Sequence, residues 1–118
     1  MAVIDVRQDN PESPDPALRA LELHFAVREA VAEIIDHPSA AGVRGVVVAA
    51  QRMMRFETES WMPRIDPVRR TALEQSHQEL AAHLNVLSWH GPGSKEMSAA
   101  VVEFRHVLLA HLGLLNRR

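Results

Sequence analysis

At 118 residues the chain has the length of one domain with a core of useful size. Its apolar share is 47% with 4% aromatics and no tyrosine, so Ala, Leu and Val carry the hydrophobicity and favour helices over a sandwich or barrel. A net charge of −2 without a basic block argues against a nucleic-acid partner, and the lack of cysteine excludes disulfides, zinc–thiolate sites, iron–sulfur clusters and cysteine nucleophiles.

Residues 1–14 read as a flexible N-terminal arm, without the basic and apolar regions of a signal peptide. No apolar stretch reaches the roughly 18 residues of a membrane span, so a soluble cytoplasmic protein with no membrane partner is expected. Residues 15–118 read as one domain. In "SPDPALRALELHF", Asp15 suits an N-cap and Pro16 the first helical position. A first helix then runs to about Asp36 and stops before "HPSAAG". A second is expected over roughly 40–61. Its "GVRGVVVAA" would also suit a strand, but a lone strand would have no partner. "RIDPVRR" repeats the opening signal with Asp66 and Pro67, and a third helix runs to about His90. "GPGS" gives a stop and a new cap before a fourth helix from about Lys95 to Asn116. Four such helices on short loops predict an all-α, antiparallel up-down-up-down four-helix bundle.

Each helix carries an apolar seam at helical spacing, and each seam holds one polar residue. On the first it is Ala17, Leu21, Val27, Val31, Ile34 and Ile35, with His24 near the middle. On the second it is Val43, Val47, Ala50, Met54 and Trp61, with Glu57. The third, in the stretch "LEQSHQELAAHL" from Leu73, comprises Leu73, Leu80, Leu84 and Leu87, with His77 where another Leu would fit. The fourth is Met97, Val101, Phe104, Leu108 and Leu115, with His111. At 1.5 Å per residue, His24 and Glu57 lie about 20 and 24 Å below the first turn, and His77 and His111 about 20 and 25 Å below the third. All four therefore share one level.

A lone carboxylate in an apolar core costs several kcal/mol, on the order of what a bound cation would offset. Three imidazoles and one carboxylate suit zinc or non-haem iron. The competing reading is a metal-free His/Glu polar core. The remaining histidines fit a site less well: His37 falls in a turn, His83 and His90 off the seam, and His106 opposite the apolar face. Arg52, Arg55 and Glu59 read as a solvated charge set on the outer face. Trp61 and Trp89, near helix ends, read as packing residues or as a homodimer contact.

The order His, carboxylate, His, His over four antiparallel helices resembles the hemerythrin and HHE cation-binding family. That family carries His on its first helix, His-x-x-x-Glu on the second, His-x-x-x-His on the third, and His followed five residues later by Asp on the fourth, around two irons. By this resemblance His24, Glu57, His77 and His111 take ligand positions, while Met53, Leu73 and Asn116 replace two histidines and the bridging Asp. A second register pairs Arg55 and Glu59 with His106 and His111, but turns Glu59 and His106 off the apolar faces. With so many ligands lost, the resemblance implies one iron or zinc at most, and sensing, storage or redox protection with dioxygen, nitric oxide or peroxide as the partner molecule. The rival expectation is a metal-free bundle serving dimerisation or protein interaction. A haem site is a third, without any Cys-x-x-Cys-His attachment sequence. No nucleophile–base pair or phosphate loop is legible, so no catalytic residue is assigned.

Overall fold

A computed structural model of the chain describes residues 15–116, excluding the side chain of Asn116. The expected arm over 1–14 and the comparison of Asn116 with a bridging Asp lie outside what is described. The chain forms four long helices: α1 (Pro16–Asp36), α2 (Ala40–Phe56), α3 (Pro67–Trp89) and α4 (Lys95–Asn116). No strand occurs among the described residues, so the Val run of α2 is helical.

Side-chain caps start every helix by taking up amide donors that the first turn leaves without partners. Asp15 accepts from the Ala17 amide at 3.1 Å, Ser39 from Gly42 at 2.9 Å, Asp66 from Arg69 at 3.0 Å and Ser94 from Met97 at 3.0 Å. Pro16 and Pro67 occupy first-turn positions, where a missing N–H costs nothing. Gly93 adopts φ 80° in the α3–α4 connection, a conformation that glycine takes without strain.

Each helix packs on its neighbours in the cyclic order α1–α2–α3–α4–α1, with α1 diagonal to α3 and α2 to α4. This is the up-down-up-down arrangement. Its core has two parts. A large cluster includes Val27, Val31, Val46, Met53, Leu80, Leu87, Phe104 and Leu108, and a small one comprises Met62, Leu73 and Leu115.

The buried faces differ in places from the seams read in the sequence. On α1 the core face is Ala20, His24, Val27, Val31 and Ile34. Ile35 is 49% exposed, because it sits about 100° round the helix from Ile34. On α2 the face is Val43, Val46, Ala50 and Met53, so Val47 and Met54 flank it instead. On α3 Ser76 is buried in the seam and His77 lies at its edge. By length and composition alone α4 is apolar enough to cross a membrane, with a mean hydropathy of 1.3. One of its faces lies in the core through Phe104, Leu108 and His111, while Val102 and Leu109 on the rest of its surface are half exposed.

The second helix also does not run as α-helix to residue 61. Glu57–Trp61 is a π turn, closed by a Met62 amide donating to the Glu57 carbonyl, and Met62–Arg64 is a 3-10 turn. Pro63 has no amide to continue the α ladder, so the last turn takes another pattern. The wider turn puts Glu57 and Met62, five residues apart, both into the core, and Trp61 only partly so. Arg70 braces this segment by donating to the carbonyls of Met62 and Ile65, each at 3.1 Å.

Candidate metal centre

A polar layer separates the two apolar clusters. On α3 His77 lies between Leu73 and Leu80, and on α4 His111 lies between Leu108 and Leu115. Glu57 lies between Met53 and Met62. His24 joins the layer from α1, and His24, Glu57 and His111 are all 0% exposed. Helix periodicity carries each of them inward, and the π turn at Glu57 keeps Met62 below it on the same face.

Glu57 is the hub. Its Oε1 accepts from Nε2 of His77 and from Nε2 of His111, each at 2.7 Å. The two rings lie side by side, with centroids 5.3 Å apart and planes tilted by 37°. Potential ligand atoms of Glu57, His77 and His111 all fall within 4.8 Å of one another, a cluster that could hold a metal ion. His24 stands outside that circle.

His111 has a second partner. Its Nδ1 lies 2.8 Å from the hydroxyl of Ser76. Since Nε2–H donates to Glu57, neutral His111 accepts at Nδ1 from the Ser76 hydroxyl. A hydroxyl can reverse that role, and would then accept from Nδ1–H when Nε2 is a ligand. This is how an outer partner fixes the ring of a metal-bound histidine.

Three buried polar atoms of the layer lack a partner: Glu57 Oε2 and both ring nitrogens of His24. Each such atom costs about 1–3 kcal/mol of unrecovered desolvation. Burial above all, with smaller contributions from His111 and Arg28, brings the His24 pKa down from 6.5 to about 4 against a weaker opposing pull from Glu57. His24 is therefore neutral at pH 7, with a lone pair free to bind. Burial pushes the Glu57 carboxyl up, but the hydrogen bonds from His111 and His77, together with their electrostatic pull, outweigh it. The net direction is below the ordinary value, so Glu57 is ionised.

These features fit a cation. The anion is present, the imidazoles carry lone pairs, and the unpartnered atoms are acceptors or can become so. The spacing is that of hydrogen bonds: two ligands about 2.0–2.1 Å from one tetrahedral ion stand about 3.4 Å apart. Binding would draw the imidazoles back from Oε1 by a fraction of an ångström.

The second register is not assembled, because Glu59 and His106 are exposed, as is Arg55. His37, also exposed, lies 3.5 Å from Glu33, and His83 Nδ1 bonds the Glu79 carbonyl at 2.9 Å. Trp89 is 71% exposed. Ser76 is too polar to show as a member of the apolar seam, yet its place three residues after Leu73 and four before Leu80 marks it as inward. Ser76, His111 and Glu57 share the connectivity of a nucleophile, base and carboxylate. Ser76 is 7% exposed in mid-helix, however, and lines neither the groove between α1 and α4 nor the one beside Ala40 and Ser88.

The chain matches no protein-family model, no curated protein and no solved structure. Fold and site together define a class: a four-helix bundle whose core holds a Glu–His–His cluster able to take a metal ion.

Proposed function

We propose that this protein is a metal-binding helical bundle holding one non-haem iron or zinc ion at Glu57, His77 and His111, with His24, which stands outside that cluster, closing on the ion as a fourth ligand. One observation carries the reading. A fully buried carboxylate meets two imidazoles on one oxygen, while its other oxygen and a fully buried neutral histidine have no partner. An apolar core gains nothing from that arrangement unless something satisfies those atoms. Nitrogen and carboxylate donors select zinc or iron over calcium or magnesium. The hemerythrin-like order of ligands along the helices supports a role in sensing, storage or redox protection, with dioxygen, nitric oxide or peroxide as the molecule met by an iron ion. When bound, the metal would supply Lewis acidity, or a redox couple if it is iron. The protein's own part is to hold the donors, keep Glu57 ionised and orient His111 through Ser76.

The metal-free alternative has its own support in the 2.7 Å hydrogen bonds, which satisfy Glu57 Oε1 with no ion at all. Elemental analysis of untagged protein, reconstituted separately with Fe(II) and Zn(II), separates the two. About one ion per chain is expected, lost in Glu57→Gln, with affinity lowered about 10–100-fold in Ser76→Ala. Protein that is folded by circular dichroism and retains neither metal would refute the site and leave the interaction module.

A further inference from the structure

A groove of ≈ 520 Å³ runs between α1 and α4, floored by Val31 and Leu108. Phe25, Ile35 and Leu109 line it at 48%, 49% and 48% exposure, and Val102, three residues before Arg105 and seven before Leu109, continues the same face of α4 at 48%. These four half-exposed side chains amount to on the order of 300–400 Å² of apolar surface, within the range of patches that serve a function. A standard interface of about 800 Å² per partner, a little over half of it apolar, needs about that much.

The charges on this face are arranged for self-pairing. Phe25, Arg28, Ala32, Ile35 and Asp36 form an i, i+3, i+4 stripe on α1. Ala32 is small and central, with Arg28 four residues before it and Asp36 four residues after. If two copies of α1 cross antiparallel at Ala32, Arg28 of each meets Asp36 of the other, twice. Arg105 adds to this. At 1.5 Å per residue it lies about 17 Å from the end of the bundle where α1 begins, and Arg28 about 18 Å. Both guanidiniums therefore face the same partner carboxylate. Glu29, between them, offsets part of one charge and falls opposite Ile35 under the same two-fold. A two-fold axis makes a surface its own partner, so a complementary surface must carry this reversal about a centre.

We propose that the α1–α4 face is a two-fold interface between two copies of this chain, α1 crossing α1 antiparallel at Ala32. It is independent of the metal reading. The small residue lets the helices approach, Ile35 and Val102 bury their exposed surface, and the Arg28–Asp36 pairs fix the register.

Sedimentation velocity of the full chain across micromolar concentrations tests it. The wild type is expected to dimerise, with the dissociation constant raised at least about tenfold in Ile35→Glu and in either Arg28→Asp or Asp36→Arg alone. The double variant Arg28→Asp/Asp36→Arg is expected to recover part of the loss of either single change, because the pair reforms with reversed sign while Arg105 still opposes the new arginine. Ordinary helical circular dichroism in each variant excludes unfolding as the cause. A wild type that stays monomeric would overturn the proposal. So would a dimer indifferent to Ile35→Glu and to the single charge changes, since its contact would lie elsewhere, for instance at Trp89.

Discussion

His24 is the residue on which stability and function pull in opposite directions. Both ring nitrogens are buried without a partner, and the ring packs edge-on against Phe25 at 5.9 Å between centroids. Leu is close to it in volume and leaves nothing unsatisfied. His24→Leu is therefore expected to raise the stability of the metal-free protein by about 1–3 kcal/mol in urea unfolding, while weakening metal binding. A variant less stable than the wild type would mean that His24 already has a partner, such as an ordered water. His24, Glu57 and His111 were legible in the sequence because each is the one polar member of an apolar period. Ser76 was not, since a small hydroxyl looks like surface until its spacing from Leu73 and Leu80 is counted.

Between elements, the hairpin of α1 and α2 depends on Gly42. A Cβ there would lie 2.6 Å from Cγ2 of Ile34, a buried side chain, and 3.1 Å from the Ser39 hydroxyl that caps the helix. Gly42→Ala is expected to cost about 1–3 kcal/mol by overpacking. Gly45, one turn on, has nothing within 4 Å of such an atom. Gly45→Ala is expected to gain about 0.5–1 kcal/mol by removing helix-breaking freedom. Thermal melts of the two variants should move in opposite directions, and a shared direction would contradict the packing described. Caps and prolines made the starts of α1, α3 and α4 and the ends of α1 and α3 readable, because they act through local amides. The face of α2 was not readable. Its run Val46–Val47–Val48–Ala49–Ala50 offers apolar residues in every direction, so periodicity cannot choose among them, and only contact with α1 and α3 does.

At the scale of the molecule, the polar layer divides the core and sets the axial register of the helices. A slip of one turn, about 5.4 Å, would oppose imidazoles with leucines and strand Glu57 in hydrocarbon. The layer also makes the metal-free fold sensitive to acid. The unfolded chain binds a proton at His24 near pH 6.5, and the folded one near pH 4. Within that window the unfolded state holds the extra proton, so stability is greatest above pH 6.5 and declines as pH falls, by about 3 kcal/mol in all. Glu57 acts lower down: its contribution is present above the ordinary carboxylate value and is lost as pH drops through its depressed folded value. Urea midpoints of metal-free protein should thus fall steadily below pH 6.5, and His24→Leu should remove the upper part of the slope. A midpoint flat from pH 6.5 to 4 would contradict the neutral, buried His24.

The π turn over Glu57–Trp61 bears on how this chain should be compared with others. A π turn spends one more residue than an α turn to return to the same face. A relative whose second helix is α-helical throughout would align correctly only with a one-residue gap between Glu57 and Met62. Aligned without that gap, Trp61 would take the core position that belongs to Met62, and every residue beyond it would be matched one place out of step.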